Sequence, residues 1–405
     1  MNIAFVGAVF PGQFGALSDY LNRNNLAKTW FLTMPGHTES NIAKYPHLIP
    51  FRPDGDIMGP QSYYYSSKVE RSARISFGML AALTELQKRE RIDVVVAHSL
   101  WAAPHFLYDE IDAAIISYIE FPSYRAHGWD PAFPPDLAQR LADRNMEMLH
   151  YHQVLESDLT IVPSQHAKAM FPPELRQRIA VQFEGFDIAA PPLQAPNPNK
   201  RFTIGFAARD LSNAKGIDTF IRLANRLLGE GFDARFVALG DPEAVTYGYE
   251  QQWVERKYDK KVRSYRDHLL RQYPHALKIA FPGKLPYDQF SAAIADIDLF
   301  LYPLRYGVAN WGLMEILARG GCVIAPNRGF AAELITDDVN GVLLPDNDEA
   351  WLSAIRALKD DPTRRARYSQ AARKTGESFH LSQVAPRYIK LFEQAIENHR
   401  RRAAR

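Results

Sequence analysis

Three stretches of the chain combine glycines with polar or charged side chains in ways that suit a phosphorylated ligand. The first, Gly7-Ala8-Val9-Phe10-Pro11-Gly12-Gln13-Phe14-Gly15, follows the apolar run Ile3–Val6. Glycines between a strand and a helix let backbone N–H groups approach an anion where the helix dipole also favours negative charge. A tight turn would use the same residues, and the spacing of Gly7, Gly12 and Gly15 departs from the dinucleotide fingerprint. The second stretch carries Arg209 at the end of an apolar run and Lys215 just before Gly216. An Arg fork and a Lys point charge can jointly neutralise a diphosphate and stabilise a departing anion without a metal. A solvated pair of surface cations has the same spacing. The third stretch, Asn310-Trp311-Gly312-Leu313-Met314-Glu315, opens a helix with one carboxylate on an apolar face, and Gly320-Gly321 ends it. Burying an unpartnered carboxylate is costly, so Glu315 either faces a polar cleft, where it would accept hydrogen bonds from a ribose diol, or forms an interdomain salt bridge.

Histidines add less. His98, His105 and His127 fall on loops expected to line a cleft, where each could touch substrate or simply pack. His150 and His152 differ by two positions on an expected helix and face apart, so they make no metal site. Asp296-Ile297-Asp298 has the form of a metal-binding Asp-x-Asp, but Asp298 introduces the strand at Leu299 and reads as structural.

Positioning these residues requires strands that end beside them. Apolar runs at Ile3–Val6, Val94–Ala97, Ile115–Tyr118, Leu159–Val162 and Ile179–Phe183 alternate with helical patterns, the signature of βαβ units around a parallel sheet. The pattern restarts with Phe202–Phe206, Arg235–Leu239, Leu277–Phe281, Leu299–Tyr302, Cys322–Ala325 and Gly341–Leu344. The Pro-rich stretch between the two sets cannot continue a helix or a central strand. The expected organisation is a first domain over residues 1–188, a linker over 189–201, a second domain over 202–375, and a C-terminal helix over 376–405 that crosses back to the first domain. Two such domains would place ligands at the carboxyl ends of their strands, in an interdomain cleft. The segment from Glu243 to Tyr273, with Tyr247, Trp253, Lys257, Lys260, Lys261, Arg263 and Arg266, reads as one long helix with a basic face or as a cleft-lining loop.

Composition removes several classes. The 405 residues, 46% hydrophobic and 23% charged, suit two globular domains. A formal net charge of +2 gives no reason to expect a nucleic-acid partner. Cys322 is the sole cysteine, so neither an intrachain disulfide nor a thiolate cluster can form. With no leader-like N-terminus and no apolar run of about 18 residues, a cytoplasmic protein is expected.

Taken in order, the three stretches resemble the retaining glycosyltransferases of family four. The resemblance extends to Ser157–Ser164, Gln182–Asp187, Phe281–Leu285 and Glu333–Gly341. A bacterial subgroup is a closer likeness, through Phe10-Pro11-Gly12-Gln13-Phe14, Gly128–Pro134 and Val245–Gly248. The resemblance implies an α/β GT-B fold of two Rossmann-like parallel-sheet domains facing a cleft. It implies sugar transfer, with retention, from a UDP- or GDP-linked donor to a glycan or lipid-linked acceptor in surface polysaccharide synthesis, with no cofactor and no metal. Arg209 and Lys215 would clamp the pyrophosphate, Glu315 the ribose, and backbone near Lys284 the base. Gly12, Gln13, Asn310, Trp311, Gly312 and Leu313 would complete the donor site, and His98 and His127 would face the acceptor.

This chain departs from the family pattern in three places. The family's first Glu, eight residues before Glu315, is replaced by Gly307, so contacts to the donor sugar pass to Tyr306, Asn310 or Trp311. Arg209 and Lys215 lie six positions apart, one more than usual. Glu120 stands where the family tends to place a His; it would position the acceptor hydroxyl or stabilise charge at the anomeric carbon, unless it caps a helix or pairs with Arg125. The missing Glu leaves open an alternative, a catalytically weakened GT-B protein acting as a binding or regulatory subunit. The basic end, Arg400, Arg401, Arg402 and Arg405, is expected to touch an anionic membrane at its inner face.

Overall fold

The computed structural model describes residues 1–37, 45–57, 59, 63–99, 103–187, 200–244 and 248–404. Most of the expected linker, Val245, Thr246 and Tyr247 of the subgroup motif, and Arg405 lie outside the described residues. The chain forms two compact units, one of Met1–His127, Asp136–Asp187 and Phe379–Arg405, the other of Gly128–Pro135 and Ile188–Ser378.

The first unit holds strands β1 (Asn2–Val6), β2 (Lys28–Thr33), β3 (Leu48–Pro50), β4 (Val94–His98), β5 (Ala114–Tyr118), β6 (Leu159–Val162) and β7 (Ile179–Val181). They form one parallel sheet in the order β3-β2-β1-β4-β5-β6-β7. Every residue of β4 and β5 is buried, as expected where helices cover both faces of a parallel sheet. One face packs on Leu17 and Leu21 of the helix Gly15–Arg23 and on Val384, Tyr388 and Phe392 of the helix Leu381–Ala403. The other face packs on Ile75, Met79 and Leu83 of the helix Ser67–Gln87.

The second unit holds β8 (Thr203–Asp210), β9 (Arg235–Asp241), β10 (Ala280–Gly283), β11 (Leu299–Leu301), β12 (Val323–Pro326) and β13 (Val342–Leu344). This sheet is also parallel, in the order β10-β9-β8-β11-β12-β13. Two sequence expectations are corrected here. The run Leu277–Phe281 is not a strand throughout, because Pro274–Lys278 winds into a 3-10 turn before β10 begins. The segment from Glu243 to Tyr273 is neither one long helix nor a loop. Its helices Glu250–Lys257 and Tyr265–Gln272 are separated by a turn in which Asp259 and Lys260 take positive φ, and Ser264 caps the second by accepting the Asp267 N–H. The break lets Val254, Tyr265 and Leu269 fold onto the same core.

Strand order reverses between β1 and β4 in the first unit and between β8 and β11 in the second. At such a switch point the loops leaving neighbouring strands diverge to opposite faces and open a crevice at the strands' carboxyl ends.

Candidate functional site

In the first unit that crevice is a recess of about 50 Å³ lined by Val6, Gly7, Ala8, Val9, Gln13, Phe14, Phe31 and His98. Gly12 holds the loop after β1 in its turn: its φ is +47°, and a Cβ there would lie 2.6 Å from the Val9 carbonyl oxygen. Backbone geometry alone therefore requires this glycine. Gln13 then donates from Nε2 to Glu120 Oε1 at 3.2 Å. Glu120 follows β5 and lies 3.8 Å from Nε2 of His98, the last residue of β4. His98 is 2% exposed, and neither of its ring nitrogens has a hydrogen-bond partner among the described residues. A buried imidazole with idle nitrogens beside a carboxylate can exchange protons or bind a hydroxyl. The alternative pairing of Glu120 with Arg125 is not formed, because the Arg125 guanidinium engages Glu147. His127 is buried with its ring 4.7 Å from that of Phe121. His150 is buried with Nδ1 on the Pro122 carbonyl, and burial pushes its pKa down to about 4.

In the second unit the crevice gathers residues from loops after β8 and β11. Arg209, near the end of β8, is largely exposed and lies 3.6 Å from Asp210. Lys215 ends the 3-10 turn Asn213–Lys215 and is only 8% exposed. That turn is held from several sides. Glu250 Oε1 accepts the Asn213 N–H at 2.9 Å. Arg305 donates to the Asn213 carbonyl at 3.1 Å, and the backbone N–H groups of Arg305 and Tyr306 donate to the Ala214 carbonyl. Gly216 follows at φ +83°, where a Cβ would lie 2.1 Å from the Pro303 carbonyl oxygen. Arg305 is itself gripped by both carboxylate oxygens of Asp218 at 2.5 Å. Burial works against the Arg305 charge, but these bonds hold it well into its cationic form.

The helix Trp311–Ala318 begins beside the same point. Asn310 caps it by accepting the Gly312 N–H at 2.9 Å, and a Cβ on Gly312 would lie 3.8 Å from the Ala207 carbonyl of β8. Trp311 is 39% exposed. Leu313, expected at the donor, is fully buried with its N–H on the Asn310 carbonyl, so it packs the helix and offers a ligand nothing. Glu315 is 9% exposed and accepts from Tyr287 Oη at 3.0 Å and from Arg319 at 3.1 Å. Its ion pair is thus within one helix, four residues apart. Lys284 lies exposed just after β10, two strands from β8.

Glu250, Arg305, Asp218 and Tyr287 escaped the sequence reading. Glu250 is 1% exposed, and burial raises its carboxyl to about 7, with Asp210 and Asp218 adding to the effect and its backbone hydrogen bonds opposing it.

Comparison with known proteins adds a family. Residues 26–190 match the family model described as glycosyl transferase family 4 group, and residues 193–375 match glycosyl transferases group 1. The GDP-mannose-dependent alpha-mannosyltransferase of Corynebacterium glutamicum is 29% identical over 161 residues, 39% of this chain and 32% of that protein. The chain spans about a third of the length of this curated relative. Among solved structures, sucrose-phosphate synthase from Thermosynechococcus elongatus superposes with a TM-score of 0.71 at 16% identity, covering 97% of this chain and 98% of that one. HepE from Anabaena in complex with UDP superposes with a TM-score of 0.62 at 16% identity, covering 97% and 100%. At this identity the likeness is one of fold.

Proposed function

Because the chain is a family 4-like glycosyltransferase of GT-B architecture, we propose that it transfers a sugar, with retention, from a UDP- or GDP-linked donor to a hydroxyl of a glycan or lipid-linked acceptor. The observation that carries this reading is the Lys215 turn, fixed by Glu250 and Arg305 at the switch point of the second sheet, with Arg209 at the end of the adjoining strand. As the bond from the anomeric carbon to the diphosphate oxygen breaks, the departing oxygen takes the electron pair, and Arg209 and Lys215 stabilise that charge. The turn is already rigid, so little reorganisation accompanies the reaction. Trp311 and Asn310 would contact the sugar, and Glu315 would accept from the ribose beside its bonds to Tyr287 and Arg319. In the first unit, Glu120 and His98 serve the acceptor hydroxyl, whose oxygen forms the new bond to the anomeric carbon and whose proton must be removed.

Isothermal titration calorimetry with UDP and GDP in the presence of EDTA tests the clamp. Binding by the wild type that falls at least tenfold in Lys215→Ala supports it. Undiminished binding returns Lys215 to a structural role. Product analysis over a panel of nucleotide-sugars then tests transfer. Nucleotide binding without transfer or donor hydrolysis would favour the regulatory-subunit reading that Gly307 raises.

A further inference from the structure

Residues 128–135, Gly-Trp-Asp-Pro-Ala-Phe-Pro-Pro, lie in sequence between two segments of the first unit yet belong to the second. The stretch has a built shape. Asp130 Oδ1 accepts the Ala132 N–H at 2.8 Å and the Asp130 carbonyl accepts the Phe133 N–H at 2.9 Å, so a turn closed by its own side chain presents the Phe133 ring. Pro131, Pro134 and Pro135 fix φ on either side of that ring, which lowers the entropy lost on ordering it.

Its contacts fall on the supports of the Lys215 turn. Phe133 stands edge-on to Trp253 at 5.2 Å and to Tyr265 at 5.4 Å, against the core of the second unit. Trp253 lies one turn after Glu250 on the helix Glu250–Lys257, and Tyr265 opens the helix Tyr265–Gln272. These helices hold Asn213 by its backbone and by its side chain: Glu250 accepts its N–H, and Tyr265 Oη accepts from its amide at 3.3 Å. Phe133 therefore keys together the two helices from which the turn hangs. A second contact reaches the carbonyl side. Asp130 Oδ2 lies 4.0 Å from Arg305 Nη1, the nitrogen that donates to the Asn213 carbonyl. A third is made by Gly128, at φ +94°, where a Cβ would lie 2.9 Å from Cε1 of Tyr306, whose N–H donates to the Ala214 carbonyl. Three residues of one short stretch thus each meet a group that holds Asn213 or Ala214.

We propose that residues 128–135 position the Lys215 turn, Phe133 from the side of Glu250 and Tyr265 and Asp130 from the side of Arg305, and so keep it in the shape that receives a diphosphate. Phe133 and Asp130 act through other residues, which makes them positioning residues. The side chains of Asp130 and Arg305 are each 20% exposed, so water screens their attraction in part and Phe133 carries most of the effect. The effect on the turn follows from packing alone; the effect on a diphosphate rests on the reading of Lys215 as its ligand.

Amide hydrogen exchange on the full chain without ligand, read by mass spectrometry, tests the first effect. In Phe133→Ala, exchange across residues 211–217 should quicken on the order of tenfold, the scale of two lost edge-to-face ring pairs, while β8 and β11 keep wild-type protection. Phe133→Leu, which retains most of the apolar contact, should stay within about threefold of wild type. Asp130→Asn, which keeps an acceptor for the Ala132 N–H but loses the charge, should do the same. Unchanged exchange at 211–217 in Phe133→Ala would overturn the proposal, as would equal quickening through the whole second unit, the mark of a residue that only fills the core. Calorimetry with UDP and GDP in EDTA tests the second effect. Phe133→Ala should weaken the nucleotide on the order of tenfold in the wild-type background and no further in Lys215→Ala, since both changes remove the same contact. Losses that add independently would refute positioning through Lys215. If the wild type binds neither nucleotide, the reading of Lys215 as a ligand falls, and exchange at 211–217 still decides whether residues 128–135 position the turn.

Discussion

Glu250 offers a test of how the Lys215 turn is built. Burial raises its carboxyl from 4.5 to about 7, so between these values the folded protein keeps a proton that the unfolded chain releases. Stability therefore falls as pH rises through that window and levels off above it. The difference corresponds to roughly 3 kcal/mol at pH 8, taking about 1.4 kcal/mol for each pH unit. Replacing Glu250 with Gln removes the ionisation but keeps a side-chain oxygen to accept the Asn213 N–H. Glu250→Gln should match wild type near pH 4.5 and exceed it by as much as roughly 3 kcal/mol at pH 8. Urea unfolding of both proteins at pH 5, 6, 7 and 8 isolates the effect, because every other titrating group contributes equally to both. A difference in midpoint that stays constant from pH 5 to pH 8 would refute the reasoning and mean that Glu250 is charged, and compensated, in the fold.

Three further outcomes follow from the same geometry. Gly216→Ala forces a Cβ against the Pro303 carbonyl at a positive φ, so it should lower stability by at least about 1 kcal/mol and weaken UDP binding; calorimetry and thermal melts showing neither would separate the turn from the site. Glu315→Ala strands Arg319, whose side chain is 7% exposed, and should cost about 3 kcal/mol by the scale of broken buried pairs while raising the KM for donor; an unchanged melting temperature would mean that the pair is incidental. Glu120→Gln should cut kcat on the order of 10²-fold with nucleotide affinity changed only a few-fold, and wild-type turnover in that variant would remove Glu120 from the chemistry.

What the sequence revealed follows from how local each signal is. β4 and β5 announce themselves as continuous apolar runs because both their faces are covered. β2 is not legible as a strand although five of its six residues are buried, since its Lys, Thr and Trp do not alternate. Arg209 and Lys215 were legible as cations beside a glycine, but the groups that fix their loop were not: Asn213 meets Glu250 across 37 positions and Arg305 meets Asp218 across 87. Glu315 shows the opposite failure. Arg319 sits four residues on, the spacing of a helical ion pair, yet the reading looked for a partner in another domain.

Glu250 also bears on why the second site is arranged as it is. An amide would hold the Asn213 N–H as well as a carboxylate and would spare the cost of a buried acid above pH 7. The acid is of use only if charge matters there. Arg209, Lys215 and Arg305 concentrate positive charge at one switch point, and without a ligand that concentration works against the fold. Asp210 beside Arg209 and Asp218 around Arg305 supply opposing charge from the protein side, and Glu250 beneath the Lys215 turn, its carboxyl raised to about 7, adds to it only as it ionises. On the proposed reading, a diphosphate would meet a turn already held by Glu250 and Arg305 and one cation, Lys215, that is already largely buried, conditions that favour electrostatic stabilisation of a departing anion.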